Sequence, residues 1–377
     1  MLVDVGLALP PETLVERLSA GERQLVEIAK ALGLAARLII FDEPTTSLSA
    51  RECARLFALM ARLRARGIAM IYVSHILGDV RRICDDLVVL RDGAVVGSGA
   101  VADFSSERMI SLMVGRSLAQ LYPARRGATA TETVMEVSGI AQRHVVRDVS
   151  FALHRGEVLG VFGLMGAGRS ELARILFGLD PHEAGAITLN GATLHSDPRH
   201  RIECGLAFLT EDRRGDGLCL EASIADNLAL VAVRPHARGP LRLIDFARWR
   251  AAVRAMREAV RISARADDAQ AVKTLSGGNQ QKVVLGKWLL AKPAVLILDE
   301  PTRGVDVGAK FELYQLILNL ADEGAGVLLI SSELDELIGL CDRILVMSEG
   351  EIRAEFPRAQ FDREQLLKAA LPREERT

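Results

Sequence analysis

The sequence predicts an α/β fold made of two related units in tandem, the first incomplete at its front, and three observations carry that reading. A block of sequence recurs at a constant offset of 257 residues. Each copy of the block contains a short apolar run that ends in paired acids. Ahead of the second copy, an apolar run, a glycine-rich turn and a helical pattern follow one another without a break.

Composition bounds what such a fold can do. The chain has 377 residues, 49% hydrophobic and 25% charged, which is enough for two buried cores and unlike a disordered composition. A formal net charge of -2 supplies no basic field toward nucleic acid or anionic lipid. No apolar run reaches bilayer length, and the N-terminus lacks the basic stretch and apolar core of a signal peptide, so a cytosolic protein is predicted. Cys53, Cys84, Cys204, Cys219 and Cys341 form no CxxC pair, and the seven histidines do not cluster, so neither a disulfide framework nor a transition-metal site is expected.

The repeat sets the domain plan. LSAGERQ begins at Leu18 and LSGGNQQ at Leu275, while FDEPT puts its acids at Asp42 and Glu43 and LDEPT puts its own at Asp299 and Glu300. The offset runs on through Ser74 against Ser331 and Cys84 against Cys341. The leader of the second copy, Val134 to Thr274, has no counterpart ahead of the first, which is therefore expected to lack its front part through truncation or a misassigned start. The predicted plan is a first unit over 1–116, a linker over 117–133 and a complete second unit over 134–377. Gln120 to Thr133 (QLYPARRGATATET) reads as linker from its Ala, Thr, Arg, Gly and Pro content. The tail after Phe361 reads as a short surface helix.

Glu157 to Phe162 (EVLGVF) is strand-like, GLMGAGRS fills Gly163 to Ser170, and Leu172, Ile175 and Leu176 then follow at helical spacing. A glycine turn between strand and helix aims backbone N–H groups at an anion, and the helix dipole adds to their pull. The pattern is GxxxxGK[ST] with Arg169 in the lysine position. Lysine is a compact point charge and arginine a wide planar fork, so Arg169 suits phosphate binding better than transfer. Ser170 keeps the hydroxyl suited to Mg2+. One such turn is weak evidence by itself, and a structural turn is an equal reading.

The acidic pairs shift that balance. Ala294 to Leu298 and Leu38 to Phe41 read as buried parallel strands, and acids at their C-terminal ends face the crevice where α/β sheets bind ligands. The first acid of each pair suits Mg2+ and the second suits orienting water. In LSGGNQQ, Ser276 is the expected N-cap, with Gly277 and Gly278 exposing backbone donors ahead of the apolar stretch Lys282 to Leu290. Taken singly, the acids read as caps and the serine as an ordinary helix start; in order and in duplicate they specify one class of ATPase.

These residues resemble the ABC ATPase family, that is, tandem P-loop NTPase domains. The P-loop lies at Gly163 to Ser170, the signatures are LSAGE and LSGGN, the acidic strand ends are Asp42 and Asp299, and His75 matches the switch histidine. GLMGAGRSE, LTEDRRGDGL, TLSGGNQQK, LDEPTRGVDVGAK, SSEL and MVGRSLAQLYP look like the ATP-binding subunits of ribose, galactose and xylose importers. The resemblance implies ATP and Mg2+ as ligands. It implies one site from Gly163, Gly166, Ala167, Gly168, Arg169, Ser170, Glu171, Glu211, Asp299 and Glu300, faced by Ser19, Gly21 and Glu22 of the first unit. A second site would use Asp42, Glu43 and His75, faced by Ser276, Gly277 and Gly278, with Glu43, His75 and Glu300 as catalytic positions and Ser170, Asp42 and Asp299 as Mg2+ ligands.

The first of these sites departs from the family pattern at Arg169, at Glu211 where a glutamine is usual, and at Ser332 where a histidine is usual. The P-loop of the other is not in the sequence. The family hydrolyses ATP to drive import of a monosaccharide, and these departures imply impaired turnover. The implied partners are a membrane-spanning permease, docked near Glu211 to Asn227 and Phe246 to Val260, and indirectly a periplasmic sugar-binding protein, with no nucleic acid. The implied location is peripheral, on the cytoplasmic face of the inner membrane. A nucleoside importer of the same architecture and a non-functional remnant are the alternatives; a ribosome- or DNA-directed tandem ATPase would carry two lysine P-loops.

Overall fold

The computed structural model describes residues 5–372 except 8, 11, 34–35, 46–47, 49, 75, 92, 116–121, 124–130, 233–236, 239–242 and 264–265. It divides into two compact units, Met1–Leu118 and Ala119–Thr377.

The first unit contains α1 (Ala20–Gly33), β1 (Leu38–Asp42), α2 (Ala50–Ala65), β2 (Ala69–Val73), α3 (Leu77–Ile83), β3 (Asp86–Arg91), β4 (Ala94–Ala100) and α4 (Ser106–Val114). Strands β1 and β2 pair in parallel, β3 and β4 antiparallel. Two separate clusters form its core, one around Leu56, Leu59, Leu63 and Phe41, the other around Val89, Phe104 and Met109.

The second unit opens with β5 (Thr133–Gln142), β6 (Val146–His154) and β7 (Val158–Gly163), then α5 (Arg169–Phe177), β8 (Ala184–Leu189), β9 (Ala192–Thr193), α6 (Pro198–Glu203), β10 (Leu206–Leu209) and α7 (Ile224–Ala229). After a short hairpin, β11 (Ala237–Arg238) and β12 (Leu243–Ile244), come α8 (Phe246–Ala259), α9 (Gly277–Leu289), β13 (Val295–Asp299), α10 (Val307–Asp322), β14 (Gly326–Ile330), α11 (Leu334–Leu340), β15 (Arg343–Ser348), β16 (Glu351–Pro357) and α12 (Arg363–Ala370). The main sheet runs β10-β13-β14-β7-β15-β16, parallel except for the last strand, and a second sheet, β6-β5-β8-β9, is antiparallel. Strands β7, β13 and β14 are buried at every position, as continuous apolar runs in a helix-covered parallel sheet should be. One continuous hydrophobic core serves the whole unit.

The repeat is visible in the coordinates. Every strand from β1 to β4 starts and ends 257 residues before its partner among β13 to β16, and α2 and α3 match α10 and α11 in the same way. Burial differs between the copies. Leu38 to Phe41 was expected to be a buried strand, yet β1 buries alternate residues only. Ile40 is 62% and Leu90 65% exposed, where Ile297 and Met347 at the matching positions are fully buried. In the second unit β7 lies between β14 and β15; among the described residues of the first unit no strand joins β2 to β3.

The α9 helix begins at Gly277, directly after the expected N-cap position Ser276. The stretch from Glu211 to Asn227 contains a turn of π-helix at Arg213–Gly217 and the start of α7. The tail after Phe361 forms the expected short surface helix, α12, which packs onto the core through its buried Leu366 and Ala370. Most of the stretch read as linker lies outside the described residues.

Candidate functional site

The glycine turn sits between β7 and α5. Gly166 has φ of +80° and Gly168 +92°, a region that disfavours any Cβ, and a Cβ on Gly168 would also lie 2.9 Å from the Val145 carbonyl oxygen. At Gly163 a Cβ would approach the Met347 carbonyl oxygen to 2.6 Å. Ala167 is buried, and its N–H donates to the Leu164 carbonyl at 3.1 Å, closing the turn. Gly168 is the N-cap of α5 and has no side chain to satisfy the first-turn N–H groups, which leaves them for an anion. Arg169, Ser170 and Glu171 form that first turn.

Two buried carboxylates converge on it. Asp299 ends β13 at 2% exposure, with the Ser170 hydroxyl beside it. Its Oδ1 has no hydrogen-bond partner among the described residues. Burial pushes its carboxyl up to about 6, with the Ser170 hydroxyl and the Arg169 charge opposing. Glu300 follows with φ of +47°, a strained value for a residue with a Cβ. Arg169 Nη1 lies 3.3 Å from Glu300 Oε1, and the Ser332 hydroxyl donates to Oε2 at 3.1 Å. Both carboxylate oxygens of Glu300 are thus engaged. Burial raises its carboxyl, and Arg169 and Ser332 oppose that rise.

The first unit keeps the backbone of this corner without its burial. Glu43 has the same φ of +47°, and its N–H donates to the Val73 carbonyl at 2.9 Å, as that of Glu300 does to Ile330 at 2.9 Å. Asp42 is exposed and Glu43 half-buried. His75 lies outside the described residues.

The two signature helices begin differently. In the first unit the Glu22 N–H donates to Ser19 Oγ at 3.2 Å and the Ser19 N–H to Glu22 Oε2 at 2.9 Å, a reciprocal capping box. Ser276 was expected to cap α9, but its side chain takes no backbone N–H; its hydroxyl accepts from Asn279 Nδ2 at 3.0 Å. The backbone donors at Gly277, Gly278 and Asn279 are therefore not spent on a Ser276 side-chain cap. At Gly278 a Cβ would meet Ala309 Cβ at 2.7 Å, whereas at Gly21, 257 residues earlier, it would meet only the movable carboxylate of Glu52.

Glu211 is held by the Arg303 guanidinium. Sequence reasoning missed Arg213, whose Nη1 donates to the Arg303 carbonyl at 2.8 Å and whose Nη2 would touch a Cβ on Gly277 at 2.8 Å. It ties the loop after Glu300 to the head of α9. Only its place in LTEDRRGDGL could have flagged it, because its partners are backbone atoms that carry no sequence signal.

A glycine turn feeding a helix, a serine hydroxyl beside a buried aspartate and an acid following it define a nucleotide-binding site of the ABC kind. The sequence model of the ABC transporter family matches residues 2–46 and 146–303, and the chain belongs to that family, whose ATP-binding proteins hydrolyse ATP. Among its relatives, it is 45% identical over 368 residues to the ribose import ATP-binding protein RbsA 1 of Rubrobacter xylanophilus, covering 97% of this chain and 73% of that one. It is 43% identical over 376 residues to the arabinose import ATP-binding protein AraG of Rhizobium etli, covering 98% and 74%. Among solved structures, a nucleotide-free ATP-binding cassette from an ABC transporter superposes with a TM-score of 0.54 at 20% identity, covering 64% of this chain and all of that one, which shows the fold alone. No helix among the described residues is long and apolar enough to cross a membrane.

Proposed function

We propose that the chain is the ATP-binding subunit of a monosaccharide importer, binding MgATP at the phosphate loop of its second unit and acting through a membrane-spanning permease at the cytoplasmic face of the inner membrane. Asp299 carries the reading: a buried carboxylate beside the Ser170 hydroxyl, with one oxygen unpartnered among the described residues, fits a divalent cation brought in with phosphates. Mg2+ held by Ser170 and Asp299 would neutralise phosphate charge, while the α5 N–H groups and Arg169 grip the phosphate oxygens. Equilibrium titration with a fluorescent ATP analogue tests this. Ser170→Ala and Asp299→Asn should each weaken Mg2+-dependent binding by about tenfold or more. Binding that is equal in Mg2+ and in EDTA would remove the role of Asp299.

The names of the relatives support a pentose or similar monosaccharide, with a periplasmic sugar-binding protein acting upstream. Deleting the chain in its native cell should abolish uptake of one such sugar; loss of nucleoside uptake instead would favour the nucleoside reading. Residues near Glu211 to Asn227 and on α8 are the proposed permease contact.

Turnover at this site is proposed to be slow. The two oxygens of Glu300 are occupied by Arg169 and Ser332, so the group best placed to orient water is tied down. Asp42, Glu43 and His75, faced by Ser276, Gly277 and Gly278, are the proposed second site, and Ser19, Gly21 and Glu22 the proposed counterpart of the first. Purified chain should bind one MgATP with little hydrolysis. Brisk hydrolysis abolished by Glu300→Gln would overturn this.

A further inference from the structure

Near the start of the second unit, ahead of its copy of the repeat, Tyr122 packs its aromatic ring against that copy. Tyr122 stacks on Tyr314 of α10 with ring centroids 5.4 Å apart and planes at 24°, and Tyr314 is only 1% exposed. Gly339 of α11 makes the room: a Cβ there would lie 2.4 Å from Tyr122 Cγ and Cδ1. At the matching positions of the first unit stand Phe57 and Arg82, 257 residues earlier. There the Arg82 guanidinium lies over the Phe57 ring, 5.2 Å from its centroid. One copy covers its aromatic ring with its own arginine. The other has a glycine in place of that arginine and takes a tyrosine from outside the repeat.

We propose that Tyr314 and Gly339 form a docking slot for Tyr122, which anchors the chain at that residue to the body of the second unit and links it to the loop that follows Glu300. The link runs through Glu336, one helical turn before Gly339 and fully buried. Its carboxyl lies beside Tyr314, and its Oε1 accepts from the Thr302 hydroxyl at 2.9 Å, two residues beyond Glu300. Thr45 and Asp79 make the same bond at 2.8 Å in the first unit, so the carboxyl-to-threonine tie is common to both copies and the tyrosine slot is what the second copy adds. Coupling of this kind needs a packed chain of groups between the two places, and Tyr122, Tyr314, Glu336 and Thr302 supply one.

Two readouts on the full chain test the two halves of the proposal. Trypsin cuts after Arg125 and Arg126, next to the docked residue. Tyr122→Ala should raise that cleavage rate by about fivefold or more, as loss of the aromatic stack would, and Tyr122→Phe should leave it unchanged. Gly339→Arg, which installs the first copy's solution, should expel Tyr122 and raise the rate equally while α10 and α11 stay folded. Amide exchange at Thr302 to Gly304 should rise in the same variants. An unchanged cleavage rate in Tyr122→Ala overturns the docking. Faster cleavage with unchanged exchange at Thr302 to Gly304 overturns the link to the loop. If Gly339→Arg does not fold, Tyr122→Ala, which trims a single side chain, decides both.

Discussion

At the scale of single residues, Asp299 governs pH behaviour. Its carboxyl is held at about 6 by burial, against an ordinary 3.8, so without metal the folded state binds this proton more tightly than the unfolded chain does. Its contribution to stability is therefore full below about 4 and is lost as pH rises through 6. The difference in melting temperature between the protein and Asp299→Asn in EDTA should shift against the wild type across that window; a constant difference would contradict it. Mg2+ requires the ionised form, so Mg2+-dependent nucleotide binding should fall as pH drops from 7 to 5, and Asp299→Asn should abolish that dependence. The site was legible in the sequence as far as its motifs reached: glycine turn, serine, paired acids. The engagement of both Glu300 oxygens was not, because residues 169, 300 and 332 meet only through the order of strands in the sheet. The Arg213 contacts and the burial of Glu336 were hidden for the same reason.

At the scale of elements, the two signature helices invite direct comparison. Ser19→Ala breaks a capping box and should cost about 1 kcal/mol in urea denaturation. Ser276→Ala should cost distinctly less, since that hydroxyl caps no backbone donor. Gly278→Ala forces a Cβ to within 2.7 Å of Ala309 Cβ and should destabilise the protein by about 1–3 kcal/mol. The strands and helices of both copies were legible because their apolar periods and the 257 offset repeat together. Which strands would be buried on both faces was not, since an apolar run reads alike whether or not a neighbour covers it, as β1 and β13 demonstrate.

At the scale of the whole molecule, the units differ in how much core they own. The second is built on one continuous cluster and the first on two small ones. Larger cores resist denaturant further, so unfolding should proceed in two steps, the first unit melting earlier. Both tryptophans, Trp249 and Trp288, belong to the second unit. Their fluorescence should therefore change only in the later step, while far-ultraviolet circular dichroism should follow both; coincident transitions would refute this. The exposed faces of β1 to β4 carry Ile40, Ile71, Val88, Leu90 and Val95 on two-stranded sheets that pair with no further strand among the described residues. Such surfaces cling to one another when molecules meet often enough. Solubility then becomes a matter of crowding: dilute solutions should scatter light as monomers do, and turbidity should grow steeply with concentration and recede when lysines are placed at positions 40 and 90.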